Sequence, residues 1–443
     1  MLPRRLREPS RSTRALLGTV IGSLPGFILP FALAWRFHGG RLTDAYFLSL
    51  AIVTFVAGIL SNVLEVSMIP AVAASVASGG GAVGRLVRGA AARSLAVAGV
   101  GYLLVALVGL SIVDAHHSWP ASERRLCMAL VLIFGLYILA STLTSVIDGA
   151  LYALGRFFMP TVSQCIRALL PLLALFATSR DAAGVIFTAS LLIAGESIRG
   201  LLMWRVLARM LGGLAGDGSA PPRSRLLEAS LPLALSLVVV ATSPLVDKFV
   251  ATPLGAGSVT LLELAEKVFF VPVLALTSSV VLVAGSRWAR LSLERPQLLA
   301  ADFKRTLRIV LASSTAAALV LTALVALVTS LAGQRFLGVD SGRLFALIAL
   351  FLGGLPGAIV IAQGARLMTA MQRTRLLPLF ALSAFSVNLA GDILGARLFG
   401  VAGIALASTV FRYVNAALYV WLCGLLLRTL SPARTRPIPF LLR

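Results

Sequence analysis

Residues 309–332 read IVLASSTAAALVLTALVALVTSLA, with no ionisable side chain anywhere in the run. Wound as an α-helix at about 1.5 Å per residue, the run is roughly 36 Å long and crosses a hydrocarbon core of about 30 Å. Backbone amides in lipid have no water to bond, so such a run must be helical. Eleven further apolar segments of spanning length lie near residues 15–35, 45–72, 94–113, 126–152, 158–178, 183–204, 229–250, 260–286, 344–365, 376–396 and 401–427. Bulk composition agrees: 58% of the 443 residues are hydrophobic, 13% are charged, and mean hydropathy is +0.96. A soluble domain needs roughly a quarter charged residues to cover its surface. The chain therefore reads as an all-α polytopic membrane protein of about twelve transmembrane helices.

The net charge of +22 follows from topology. With the N-terminus placed inside, the inside connections hold 26 of the 39 Lys and Arg residues and the outside connections hold 8. That bias fits an even number of spans with both termini cytoplasmic, in the inner (plasma) membrane. No basic stripe with interleaved aromatics is present, so nucleic acid is not an expected partner. The apolar run from Ala15 to Trp35 exceeds a signal-peptide core of about 7–15 residues and is expected to remain as the first span. Cys127, Cys165 and Cys423 lack metal-ligand spacing and read as small hydrophobes.

A faint internal repeat divides the chain. Thr43 and Thr260 open spans two and eight, 217 residues apart; Pro160 and Pro378 lie 218 apart; Ala183-Gly184 and Ala402-Gly403 lie 219 apart. Six spans per half place both halves in the membrane from the same side, as parallel repeats about a pseudo-two-fold axis along the membrane normal. The expected organisation is an N-terminal six-helix lobe over 1–210, a cytoplasmic linker over 211–225, a C-terminal six-helix lobe over 226–430 and a cytoplasmic tail over 431–443. A substrate would sit in a central cavity between the lobes.

Catalytic chemistry is sparse. There is no GxxxxGK[ST] loop, and the three histidines, His38, His116 and His117, fall in outside connections. The longest outside connection, about 114–125, reads as a solvated loop, and no enzyme is expected. Ionisable residues near mid-bilayer cost about 2.5–3.5 kcal/mol each and need a reason. Asp148, Lys248 and Glu263 sit near expected span ends, where snorkelling suffices. Glu263 and Lys267 are also spaced to neutralise each other. Arg167, Glu196, Arg199, Lys267, Asp392 and Arg412 remain as cavity candidates, for substrate or for interhelical pairing. Asn388 and Asp392 are i,i+4 on span eleven, with Ser408 on span twelve and Asp247 on span seven. Such hard oxygens suit a small cation such as Na⁺, or an interhelical hydrogen-bond cluster.

Two stretches carry a resemblance. Residues 43–70, from Thr43-Asp44-Ala45-Tyr46-Phe47 to Met68-Ile69-Pro70, resemble the second helix of MurJ/MviN-type lipid II flippases of the multidrug/oligosaccharidyl-lipid/polysaccharide (MOP) exporter superfamily. Residues 244–272 are similar to the same family through Leu245-Val246-Asp247-Lys248-Phe249-Val250-Ala251, Gly257-Ser258-Val259-Thr260, Ala265-Glu266-Lys267 and Pro272, and so is Gly400 to Ser408. The resemblance implies two six-helix lobes and a flippase for a polyprenyl-diphosphate-linked oligosaccharide, lipid II or a related cell-envelope precursor. It implies a substrate-binding role for Lys267 and a sodium site at Asp247, Asn388, Asp392 and Ser408, with Na⁺ as coupling ion and no other cofactor; Asp44, in the first of these stretches, is a further substrate-binding candidate. Cell-envelope glycan synthases are then expected neighbours. The chain departs from the family at Val56-Ala57-Gly58, where an arginine pair is usual, near Leu29-Pro30, where an arginine is usual, and in having no counterpart of two further helices. The competing readings are a MATE-like cation-coupled drug exporter and a non-transporting scaffold of a glycan-synthesis complex.

Overall fold

The computed structural model describes residues 9–77, 83–114, 119–212, 238, 242–331, 335–336, 338–371, 373 and 377–429. Among these, twelve helices follow one another where the apolar segments predict them. The first six are α1 (Pro9–Phe37), α2 (Arg41–Ala77), α3 (Val83–Asp114), α4 (Ala121–Ala153), α5 (Phe158–Ala174) and α6 (Ala182–Gly212). Helix α7 is described over 242–251. Helix α8 opens as Ser258–Leu276, passes through a π turn at Thr277–Val281 and continues as Leu282–Glu294. Then come α9 (Pro296–Leu331), α10 (Ser341–Ala370), α11 (Leu377–Phe399) and α12 (Val401–Thr429). Nine of the described helices are long and apolar enough to cross a membrane, and α5 is apolar but shorter. The protein is an all-α polytopic membrane protein. Most of the expected linker, from residue 213 on, lies outside the described residues, as do His116, His117 and the tail over 431–443.

The helices outrun the apolar segments, because hydropathy marks hydrocarbon depth while the helix continues through the interface. The segment near 45–72, for instance, lies inside a helix of 41–77. Helix α10 breaks at Gly354, and Pro356 stands in the first turn of the stretch Leu355–Ala370, where its missing N–H costs no helical bond.

By packing, the described residues fall into two compact units, one reaching Thr260 and including 338–339, the other starting at Leu261. In the first unit α4 is central: α2 and α3 pack along it, α6 packs on both α4 and α5, and α1 packs on α5. Lipid offers no hydrophobic drive between helices, so association rests on close van der Waals packing and polar contacts. Met68 and Val72 of α2, Val87 of α3, Val146 and Ile147 of α4, and Met203 and Leu207 of α6 form an apolar plug at one end. In the second unit α10 packs against α8, α9 and α12, and α11 against α12. Its core gathers Trp288, Phe303, Leu367, Tyr419 and Cys423. Trp288 Nε1 donates to Asp302 Oδ2 at 2.8 Å, pinning the elbow between α8 and α9.

Candidate functional site

Four helices of the first unit each carry a polar stripe. On α4, Tyr137, Ser141, Ser145 and Asp148 recur every three or four residues; Ser61 and Glu65 do so on α2, Gln164 and Arg167 on α5, and Glu196 and Arg199 on α6. That spacing puts each set on one helix face. The stripes converge on a cavity of about 300 Å³ that all ten of these residues line. Gly149 makes the approach of α2 to α4 possible, because a Cβ there would come within 2.7 Å of the Glu65 carbonyl oxygen.

The charged groups are organised around Arg199. Its Nη1 donates to Glu196 Oε1 at 2.8 Å, its Nη2 donates to Asp148 Oδ2 in a short ion pair, and its Nε donates to Ser163 Oγ at 3.1 Å. Asp148 and Arg199 are 4% and 5% exposed and Glu196 1%, so the guanidinium holds two buried carboxylates at once. The planar fork of arginine suits such bridging. Arg167 is different. Its Nη1 donates to the Tyr137 hydroxyl at 2.7 Å and its plane lies near that ring, but no carboxylate comes within ion-pair distance among the described residues. The walls thus hold three carboxyl groups and two guanidiniums.

Arg167, Glu196 and Arg199, singled out in the sequence, come together here. Asp148, Glu65 and Tyr137 complete the set, and Asp148 corrects an expectation. It does not snorkel from a span end, because α2 and α6 close over that end of α4 and leave Arg199 as its ionic partner. The other expected residues lie elsewhere. Asp44 caps the start of α8: its oxygens accept from Gly257 N at 2.6 Å, Thr260 N at 2.9 Å and Thr260 Oγ1 at 2.7 Å. Lys267 pairs with Glu263 at 3.1 Å along α8, as their spacing allows. The Arg412 guanidinium lies over the Phe269 ring at 4.1 Å and near Phe351 at 5.2 Å.

Of the expected cation ligands, Asn388, Asp392 and Ser408 are buried in the second unit and Asp247 is buried in the first. Asn388 Nδ2 donates to Asp392 Oδ2 at 2.7 Å, so the two side chains share a face of α11. Carboxylate, amide and hydroxyl oxygens are the donors that suit a small hard cation. No group of three or more His, Cys, Asp and Glu side chains arranged to hold a metal occurs among the described residues.

Comparison with known proteins bears on this arrangement. A family model described as Lipid II flippase MurJ matches residues 33–432. Comparison with curated proteins gives no match. Among solved structures, a lipid II flippase MurJ in an inward closed conformation has a TM-score of 0.72 at 17% identity, covering 93% of this chain and 87% of that one. A multidrug resistance MATE family transporter of the MOP superfamily, inward-facing, has a TM-score of 0.78 at 12% identity, covering 96% and 100%. A MATE transporter from Vibrio cholerae scores 0.64 at 15% identity over 95% and 98%. These structures share the fold, and the family match runs through nearly the whole chain, Asp44, Arg167 and Asp392 included. The chain belongs to the lipid II flippase MurJ family.

Proposed function

We propose that this protein moves a polyprenyl-diphosphate-linked glycan, lipid II or a related cell-envelope precursor, from the inner to the outer leaflet by alternating access. Beside family membership, Arg167 supports the reading. A guanidinium inside a membrane-spanning bundle, lining a polar cavity and bonded to a neutral hydroxyl, keeps its charge available for an anion. A diphosphate is matched by the arginine fork, while the polyprenyl tail stays in the bilayer. Lys267 and Arg412 are further cationic candidates, with Glu196 and Arg199 shaping the cavity around Arg167. Asp44 acts through the helix cap it makes. Asn388, Asp392 and Ser408 of the second unit are the candidate Na⁺ set, coupling transport to a cation gradient or to membrane potential.

The test is reconstitution in liposomes with a fluorescent lipid-linked glycan, reading the appearance of probe in the far leaflet. Arg167→Ala is expected to slow translocation about tenfold or more, a rise of roughly 1.4 kcal/mol or more in the transport barrier. An unchanged rate would overturn the assignment. Export of cationic drugs is a second reading, favoured by the surplus of carboxyl over guanidinium groups in the cavity. Under that reading Arg167→Ala leaves drug efflux intact and Glu196→Gln reduces it.

A further inference from the structure

The cavity of the first unit holds one acid more than it holds bases. Glu65 of α2, Asp148 of α4 and Glu196 of α6 face Arg167 of α5 and Arg199 of α6. The other titratable neighbours are the phenols Tyr137 and Tyr152 of α4. Arg199 pairs with Asp148 and Glu196, and Glu65 makes no ion pair among the described residues. It nevertheless lies within electrostatic reach of Asp148 and Arg199.

A second observation is independent of the charge count. Asp148 Oδ1 and Glu196 Oε2 are buried and have no hydrogen-bond partner among the described residues. Buried carboxylate oxygens without a donor are strongly unfavourable, and a proton on one of the cavity's carboxyls lowers that cost while cancelling the surplus charge. A metal ion fits less well, because the Arg199 guanidinium already occupies the space between the two carboxylates.

We propose that Glu65, Asp148 and Glu196 form a proton-binding site that holds one shared proton, and that this proton binds cooperatively with an anionic headgroup at Arg167. The second half rests on the flippase reading; the first does not. The step is simple protonation: a hydronium ion or buffer acid reaching the cavity gives up a proton, one O–H bond forms on a carboxylate, and no electrons are transferred. Neutralising the surplus carboxylate removes repulsion against the diphosphate, and by linkage the diphosphate raises proton affinity by the same factor.

The test uses the full chain in lipid nanodiscs. Infrared difference spectra between about pH 5 and about pH 9 are expected to show a protonated-carboxyl band that titrates as one proton, is altered in Glu65→Gln and ignores Na⁺. Absence of a titrating band, a band unaffected by Glu65→Gln, Asp148→Asn and Glu196→Gln alike, or a band displaced by Na⁺ would overturn the site. In a second arm the probe is fluorophore-labelled undecaprenyl diphosphate. Its affinity is expected to fall about tenfold per pH unit above the midpoint in the wild type, and to follow only the probe's own titration in Glu65→Gln. Equal pH dependence in both proteins would overturn the cooperativity. A normal carboxyl titration with no probe binding at any pH would overturn the flippase reading and leave the proton site standing.

Discussion

Arg199 orders the polar interior of the first unit, because two buried carboxylates and the Ser163 hydroxyl all depend on it. Removing one member of a buried ion-pair set leaves its partners uncompensated, at a cost of about 3–5 kcal/mol. Arg199→Ala is therefore expected to lower thermal stability in detergent sharply, with Asp148→Asn recovering part of the loss in the same background. Arg199→Lys keeps the charge but not the fork and should fall between. At Asp44 the expected loss is smaller: Asp44→Ala removes a charge-assisted cap worth about 1–2 kcal/mol, and thermal melts would measure it. The sequence makes half of this visible. Glu196 and Arg199 stand i,i+3 on one helix, so their pairing follows from spacing. Asp148 lies 51 residues from Arg199. Their contact follows from how α4 packs against α6, which hydropathy does not encode, and the same holds for Glu65.

At the scale of the element, the spans are legible because lipid demands long charge-poor runs, but their interruptions are not. The π turns at Val105–Gly109 and Thr277–Val281 fall in sequence that reads as uniform helix. The α11–α12 hairpin is more explicit. Gly400 turns the chain with φ of 61°, in the left-handed region that favours glycine. Just beyond, Gly395 and Gly403 bring the two backbones so close that a methyl on either would overlap the other's carbonyl. Gly403→Leu is expected to force α11 from α12, disturb Asn388, Asp392 and Ser408 together, and lower the yield of folded protein by size-exclusion chromatography. The start of α6 has a different device. Asp181, in the exposed turn before the helix, accepts from the Ser179 hydroxyl at 2.5 Å and from Gly184 N at 3.0 Å. These bonds, the Ser179 hydroxyl first, hold its carboxyl below the ordinary value of 3.8. A depressed folded pKa means the stabilisation is complete above the ordinary value and fades as pH falls through the lowered one. Asp181→Asn keeps a cap without a titrating group, so the acid limb of its stability profile should be flatter than the wild type's.

For the molecule as a whole, the charge distribution makes a claim that the helices alone do not. The Thr260 hydroxyl donates to the Thr43 hydroxyl at 2.8 Å, joining the start of α8 to the start of α2. That contact says nothing about which face of the membrane is cytoplasmic. Orientation rests on the Lys and Arg bias, because the inside-negative potential and the insertion machinery retain basic loops. Helix α5 separates the α4–α5 turn from the α5–α6 turn, so exposed Arg156 and Arg180 lie on opposite sides of the bilayer if α5 spans it. In a background with Cys127, Cys165 and Cys423 replaced by alanine, Arg180→Cys is expected to react with a membrane-impermeant maleimide in intact spheroplasts. Arg156→Cys should react only after permeabilisation. The reverse pattern would invert the protein and with it the direction of transport. Labelling of both, or of neither until lysis, would mean that α5 does not cross, leaving Arg167 on a helix that enters and leaves by the same face.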